Sequence, residues 1–124
     1  MKALGSQLLV EMYACDARIL DDVDAIESAM REAALASGAT IVHEKFHRFS
    51  PHGVSGVVVI AESHLAIHTW PEHRYAAVDL FTCGSTVDPN ACVETLRECF
   101  RAARWSATSI VRGHPEGLRI LPSE

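Results

Sequence analysis

Three apolar segments separated by short polar links constrain the fold of this chain most. Each is rich in Val, Ile and aromatic residues, a composition that favours β-strands. The links are too short for a crossover helix, so strands that follow one another this closely pair antiparallel. The stretch from Val54 to Gly84 therefore predicts the centre of an antiparallel sheet. The three segments are Val57–Ala61, Leu65–Trp70 and Ala76–Thr82.

Two amphipathic helices are predicted outside this stretch. Apolar residues spaced by three and four form one stripe along Asp16–Ser37, and Gly38 follows where a C-terminal capping glycine belongs. Asp88-Pro89 starts the second helix, because Asp caps the first turn and Pro suits the first helical position. We expect this helix to run to about Ala103.

Four further segments complete the order of elements. The order strand, helix, four strands, helix, strand predicts an α+β fold: a two-layer α/β sandwich, with a largely antiparallel sheet and two helices on one face. The opposite face is then exposed to solvent or packs against a second subunit. Residues 1–124 are predicted to form a single domain. The four segments are Gln7–Tyr13, Thr40–Phe49, Ser106–Val111 and a short last strand at Leu118–Leu121.

Composition excludes several classes of protein. Apolar residues make up 48 % of the 124 residues, enough for a sizeable core and too many for a disordered chain. The net charge of −5 argues against binding to nucleic acid, because proteins that bind it usually carry a basic patch. No apolar run approaches the ~20 residues of a membrane helix, and Met1–Gly5 lacks the long apolar segment of a signal peptide. We therefore expect a cytoplasmic protein with no membrane or nucleic-acid partner.

The segment that follows Glu62-Ser63 alternates between two kinds of residue. A strand turns successive side chains to opposite faces. One face is apolar and belongs to the core, whereas the other presents two imidazoles and an indole. Polar groups at such positions need hydrogen-bond partners or a functional role. The core face carries Leu65, Ile67 and Thr69, and the opposite face carries His64, Ala66, His68 and Trp70.

Ser55 and Cys83 extend this reactive set on the neighbouring strands. A sheet that brings Ser55, His68 and Cys83 together is geometrically simple, although the sequence does not fix the strand order. Cys83 also ends its strand, where functional residues tend to lie. Cys92 and Cys99 share one face of the second helix and are predicted to be buried small apolar residues, since the chain has no CxxC pair.

Several segments together match the pattern of one protein family. They are Gly38–Val42, Phe46–Phe49, Gly53–Ile60, Glu62–Glu72 and Asp79–Gly84. In these segments the chain resembles the short prokaryotic S-adenosylmethionine decarboxylase proenzymes, and its length and order of elements agree with that family. The tail after Trp105 departs most from the pattern, but it holds none of the candidate site residues.

The resemblance implies that the chain is made as an inactive precursor that cuts itself between Glu62 and Ser63. The Ser63 hydroxyl attacks the Glu62 carbonyl to give an ester. Elimination and hydrolysis then leave a pyruvoyl group and ammonia. The products are a β chain of residues 1–62 and an α chain of residues 63–124. The pyruvoyl group forms a Schiff base with the substrate amine and is the electron sink, so neither pyridoxal phosphate nor a metal is needed.

The resemblance also assigns catalytic roles by position. Ser63 matches the nucleophile that becomes the pyruvoyl group, and Ser55 matches a serine that assists processing. His68 matches the processing base, a role that imidazole suits near neutral pH. Cys83 matches the acid that protonates the carbanion after carbon dioxide leaves.

The implied substrate is S-adenosyl-L-methionine, and its decarboxylated product is the aminopropyl donor of spermidine biosynthesis. Phe49 and Trp70 match residues that flank the adenine. Glu72 matches the carboxylate that holds the ribose hydroxyls, and Leu65 matches a residue that lines the pocket through its backbone. Sites of this family lie at the interface of a homodimer, which fits the sheet face left free of helices.

Three alternatives compete with this interpretation. A pyruvoyl-dependent arginine or ornithine decarboxylase would share the processing chemistry, but the aromatic pair and the carboxylate favour a nucleoside, whose ring needs stacking and whose ribose needs an acceptor. A second alternative is a relative that never processes itself. The third is a His-rich metal-binding module without catalysis. Histidines four apart on a strand are ~13 Å apart, so one metal ion would use only one of His43 and His47 and one of His64 and His68.

Overall fold

Within the part of the chain that the structure describes, seven strands and three α-helices follow one another in nearly the predicted order. The computed structural model describes residues 3–121, so both ends of the predicted 1–124 domain, and the first residues of Met1–Gly5, lie outside this range. The strands are β1 (Gly5–Tyr13), β2 (Ile41–Arg48), β3 (Val54–Ile60), β4 (Ser63–Trp70), β5 (Tyr75–Thr82), β6 (Arg104–Arg112) and β7 (Arg119–Leu121). The helices are α1 (Ala17–Leu20), α2 (Val23–Ala36) and α3 (Pro89–Phe100), and a short 3-10 helix covers Pro71–His73.

The strands form one antiparallel sheet in the order β2-β3-β4-β5-β1-β6-β7. The strands of the central stretch, β3, β4 and β5, pair consecutively as their short links predict. β1 inserts between β5 and β6, a position that the sequence did not fix. α2 packs on α3 and on β2 and β3, and α3 also contacts β1. The predicted α+β sandwich, with helices on one face of the sheet, is confirmed.

Burial along the central strands follows the predicted alternation. On β4, Leu65 and Ile67 are at most 1 % exposed and Thr69 is 6 % exposed, whereas Trp70 on the opposite face is 40 % exposed. Every second residue of β5 is likewise buried. The core therefore lies between the sheet and the helices. We call the other side of the sheet the open face.

The predicted helix over Asp16–Ser37 is wrong in its continuity, because the chain breaks at Asp21-Asp22. Asp22 caps α2 by accepting hydrogen bonds from the backbone N–H groups of Asp24 and Ala25, both at 3.1 Å. A second aspartate, Asp16, caps α1 in the same way. Aspartate side chains compete for backbone N–H groups and so favour caps over helix interiors. Gly38 follows α2 with a φ of +86°, as a C-terminal capping glycine should.

The second predicted helix begins at the expected residue and ends earlier. Asp88 accepts hydrogen bonds from the N–H groups of Asn90 and Ala91. α3 stops at Phe100, because the capping residue Arg101 takes a left-handed conformation with a φ of +56°; beyond it the Ala103 N–H donates to the Tyr13 carbonyl of β1. The predicted burial holds for Cys92 but only in part for the partly exposed Cys99 of the same helix face.

Among residues 3–121, none of the helices is long and apolar enough to cross a membrane.

Candidate active site

The turn between β3 and β4 carries the predicted cleavage point. Ile60 pairs with Ser63 across the hairpin, so Ala61 and Glu62 form the turn itself. Ser63 has a φ of 151°, in a region that residues with a Cβ rarely adopt. Such a conformation costs on the order of 1–3 kcal/mol and persists only where neighbouring contacts enforce it. The residue on the C-terminal side of the predicted cleavage point, Ser63, is therefore strained.

Three backbone hydrogen-bond donors hold this turn from two sides. The Cys83 N–H donates to the Glu62 carbonyl oxygen at 3.0 Å, and the Ala61 N–H donates to the Thr40 carbonyl at 2.8 Å. The Thr40 N–H donates in turn to Glu62 Oε1 at 3.2 Å. The carbonyl that precedes Ser63 is thus polarised by a fixed donor, in the manner of an oxyanion hole.

The side chains of Ser63 and Cys83 lie together at this end of the sheet. Ser63 Oγ is 3.5 Å from Cys83 Sγ, within hydrogen-bond distance for sulfur. Cys83 is exposed, and Gly84 follows with a φ of +82°, which turns the chain away from the sheet. We call Glu62, Ser63 and Cys83 the turn cluster. A hydroxyl beside the carbonyl that it would attack, and a nearby thiol, suit acyl transfer.

A second group of predicted residues lies on the open face, farther along β4. Ser55 of β3 pairs directly with His68 of β4, and Ser55 Oγ lies 2.7 Å from His68 Nδ1. The rings of His68 and Trp70 are 6.4 Å apart between centroids. We call Ser55, His68 and Trp70 the histidine cluster. Its hydroxyl–imidazole pair can accept or deliver a proton.

The two clusters are far apart within one chain, which corrects the expectation that Cys83 joins Ser55 and His68. Ser63 and His68 belong to the same strand, and five residues at about 3.3 Å each separate their Cα atoms by about 16 Å. Cys83 lies six residues beyond Ala77, the β5 partner of His68. The register of the hairpin, which the sequence did not specify, places the clusters at different ends of β4.

The remaining predicted residues lie in the loops next to the histidine cluster, except Leu65, which lies nearer the start of β4. Glu72 of the 3-10 helix pairs with His52, with 3.0 Å between Oε2 and Nε2. Its own backbone N–H, and after that the His52 ring, hold the pKa of the Glu72 carboxyl below its ordinary value. Phe49 is 47 % exposed and packs edge-on against His47. The Leu65 side chain is buried in the core, so only its backbone is left for the role assigned to it.

Sequence reasoning missed a carboxylate next to these aromatic residues. Glu11 of β1 accepts hydrogen bonds from the hydroxyls of Tyr75 at 2.6 Å and Tyr13 at 3.2 Å. Burial, followed by the bond to Glu11, raises the pKa of Tyr75 above its ordinary value. Together with Trp70 and His73 these residues line a cavity of about 390 Å³. The only sequence signal was a carboxylate, Glu11, in an apolar strand. Its contact with Tyr75 depends on the pairing of β1 with β5.

Asp21 was also missed, and it acts by fixing the loop that holds Phe49. Asp21 accepts a hydrogen bond from the Gly53 N–H at 2.9 Å and pairs with Arg48 at 2.8 Å. Those contacts, in this order, hold the pKa of the Asp21 carboxyl below its ordinary value. The loop between β2 and β3 is thereby tied to the break between α1 and α2.

Within the described range of residues 3–121, no three His, Cys, Asp or Glu side chains are grouped so that they could hold a metal ion. His43 and His64 both flank Val59 on the open face, and His47 lies beside Ser55. The metal-binding alternative therefore gains no support from the geometry.

Comparison with known proteins gives the same family for most of the chain. The family model described as S-adenosylmethionine decarboxylase matches residues 6–113. The chain is 56 % identical over 120 residues to an S-adenosylmethionine decarboxylase proenzyme of Fervidobacterium nodosum, covering 97 % of this chain and 88 % of that one. It is 54 % identical over 120 residues to a proenzyme of the same name from Thermotoga maritima, covering 97 % and 92 %.

Solved structures agree with these sequence matches. The adenosylmethionine decarboxylase of Aquifex aeolicus superposes with a TM-score of 0.84 at 33 % identity, over 92 % of this chain and 94 % of that one. An AdoMetDC-delta26 monomer of Trypanosoma brucei shares the fold, with a TM-score of 0.64 at 16 % identity, over 85 % of this chain and 45 % of the longer one. With a family model matching most of its length and relatives more than half identical to it, this chain belongs to the S-adenosylmethionine decarboxylase family.

Proposed function

We propose that this protein cuts itself between Glu62 and Ser63 and then decarboxylates S-adenosyl-L-methionine with a pyruvoyl group made from Ser63. One observation carries the proposal. Ser63 has a strained backbone, and the carbonyl before it accepts a hydrogen bond from the Cys83 N–H at 3.0 Å. The names of the related proenzymes support both the substrate and the precursor state.

In the first step Ser63 Oγ attacks the Glu62 carbonyl carbon. The C–N bond breaks, the Ser63 nitrogen takes up a proton, and an ester links the two fragments. Negative charge develops on the Glu62 carbonyl oxygen during this attack, and the Cys83 N–H is already directed at that atom. Relief of the strained φ at Ser63 favours the same step.

In the second step a base removes the Ser63 α-proton, and the Glu62 carboxylate leaves. Residues 1–62 are released as the β chain. The dehydroalanine at position 63 takes up water and loses ammonia, so the pyruvoyl group comes from the chain itself. Bound at the start of β4, this group supplies the electron sink for loss of carbon dioxide. The Cys83 thiol, 3.5 Å from the Ser63 hydroxyl, is placed to deliver a proton there.

A second copy of the chain supplies the base. The His68 imidazole lies about 16 Å along the strand from Ser63, too far for proton transfer within one chain. Pairing of two open faces allows the histidine cluster of one copy to meet the turn cluster of the other. We therefore propose a homodimer with two sites, each completed by Ser55 and His68 of the partner copy.

The residues around the histidine cluster suit a nucleoside with a cationic sulfonium. Phe49 and Trp70 are 47 % and 40 % exposed, and both offer a ring face for stacking on adenine or on the cation. Glu72 offers a carboxylate for the ribose hydroxyls, and its lowered pKa keeps it ionised. Leu65 lines the pocket through its backbone. These features favour S-adenosyl-L-methionine over arginine or ornithine, neither of which has a ring or a ribose.

Intact mass spectrometry of the purified protein tests the proposal. We expect two chains divided after Glu62, with the C-terminal one lighter than unmodified 63–124 by the mass of ammonia. Release of carbon dioxide from carboxyl-labelled S-adenosyl-L-methionine, arginine and ornithine then identifies the substrate. A chain that stays uncut after long incubation contradicts the proposed processing. Cut protein that prefers arginine or ornithine contradicts the proposed pocket.

A further inference from the structure

The Glu62 side chain makes a contact that the chemistry proposed above does not use. Its Oε1 accepts a hydrogen bond from the Thr40 N–H at 3.2 Å. The Thr40 carbonyl accepts one from the Ala61 N–H at 2.8 Å. The backbone of one residue, 22 positions away from Glu62, thus binds both residues of the turn that precedes the cleavage point.

Thr40 is itself held in place by the end of α2. The Ala39 N–H donates to the Ala34 carbonyl at 3.0 Å, and Gly38 closes the helix with a φ of +86°. Ser37 is 3 % exposed, and its carbonyl accepts a hydrogen bond at 2.8 Å from the Asp88 N–H that precedes α3. Because both helices anchor this segment, the Thr40 N–H is a fixed donor rather than part of a mobile loop.

We infer that the Glu62 carboxylate is a positioning residue for self-cleavage, acting through the Thr40 N–H. The inference rests on the proposed cleavage between Glu62 and Ser63. The Glu62 carbonyl must stay against the Cys83 N–H while Ser63 Oγ attacks it. The bond from Thr40 to the Glu62 side chain restrains rotation of the same residue from the opposite side. Small misplacements of a reacting group can slow a reaction by orders of magnitude.

Two variants with a matched control test this role. In Glu62→Ala the acceptor for the Thr40 N–H is lost, and we expect the half-time of cleavage to lengthen by about tenfold or more. In Glu62→Gln the side-chain carbonyl accepts the same hydrogen bond, so we expect cleavage within about threefold of wild type. Glu27→Ala removes a glutamate of α2 outside the site and should cleave like wild type. Freshly translated full-length chains are followed by intact mass over time.

A readout of folding separates positioning from general stability. Each Glu62 variant is combined with Ser63→Ala, so that uncut chains are compared, and its thermal midpoint is measured. We expect midpoints close to that of Ser63→Ala alone. Wild-type half-times for Glu62→Ala overturn the inference. The inference is also overturned if Glu62→Gln is cleaved as slowly as Glu62→Ala, because Glu62 would then act through its charge. Slow cleavage that tracks a fall in the midpoint also overturns it. An uncut wild-type chain contradicts the proposed cleavage before the variants are compared.

Discussion

At the scale of single residues, the contacts of a polar side chain show whether it stabilises the fold or is accessible for chemistry. Thr69 on the core face of β4 is 6 % exposed, and its hydroxyl donates to the Leu20 carbonyl at 2.7 Å. The same oxygen accepts from the Val54 N–H at 2.9 Å. Thr69 therefore stabilises the fold. The Cys83 thiol is exposed beside Ser63 Oγ and is therefore accessible for chemistry.

Thr69→Val tests the structural role. Valine keeps the shape but leaves the buried Leu20 carbonyl and Val54 N–H without this partner. We expect the free energy of unfolding to fall by about 1–3 kcal/mol, measured by urea denaturation. Thr82→Val is the matched control, because Thr82 is also buried and its hydroxyl has no partner among the described residues. Equal losses in both variants would contradict the assignment.

Cys83→Ala separates the role of the Cys83 backbone N–H from that of its thiol. The backbone N–H that bonds to the Glu62 carbonyl remains, so we expect the variant to cleave itself. The thiol is lost, and we expect turnover per cleaved chain to fall by about 10²-fold or more, as for other general acids. Mass spectrometry and carbon dioxide release measure the two steps, and Cys99→Ala is the control. Wild-type turnover in Cys83→Ala would remove the thiol from the mechanism.

At the scale of elements, short connections position the site. The break between α1 and α2 frees Asp21 to hold the loop that carries Phe49 and His52, through Gly53 and Arg48. The end of α2 fixes Thr40 against the turn between β3 and β4. The helices therefore cover the core and also anchor the two loops that border the candidate active site.

Asp21→Asn tests the first of these anchors through its pH dependence. The pKa of the Asp21 carboxyl is lower in the folded protein than its ordinary value. The stability that the ionised carboxyl adds is therefore present at a pH above the ordinary pKa, and it is lost as the pH falls through the pKa of the folded protein. We expect wild type to exceed Asp21→Asn in urea midpoint at pH 7, and the difference to shrink as the pH falls below about 4. A difference that stays constant down to pH 3 would contradict the prediction.

At the scale of the whole molecule, the distance between the two clusters decides what a single chain can do. A lone copy holds Ser63, the proposed nucleophile, at one end of β4 and its hydroxyl–imidazole pair about 16 Å away. The histidine cluster lies on the open face, and the turn cluster lies at the start of β4. A symmetric dimer is the simplest assembly that joins them, because the same surface then serves twice.

Co-expression of Ser63→Ala with His68→Ala tests the shared site. Alone, Ser63→Ala should stay uncut, and His68→Ala should cleave far more slowly than wild type. In a mixed dimer the His68→Ala chain keeps its Ser63 and meets the intact His68 of its partner. With random pairing of equal amounts, we expect roughly half of the His68→Ala chains to be cut. Tags of different mass identify the fragments. No cleavage in the mixture, beside normal cleavage of wild type, would contradict a shared site.

The sequence by itself determined most of the elements, the faces of the central strands and the family. Alternation placed Leu65, Ile67 and Thr69 in the core and left His68 and Trp70 on the open face, because side-chain direction on a strand depends only on local period. Asp88-Pro89 determined the start of α3 by local capping. The motif around Glu62-Ser63 was specific enough to identify relatives.

Only the tertiary structure decided which of these residues meet. Ser55 reaches His68, the Cys83 N–H reaches the Glu62 carbonyl, and Thr40 reaches the Glu62 carboxylate through strand register and helix packing. These contacts join residues 13 to 22 positions apart. Register is a property of paired strands and β1 pairs with a strand distant in sequence, so no local pattern encodes either. The separation of the two clusters, on which the proposal of a shared dimer site rests, follows from that register.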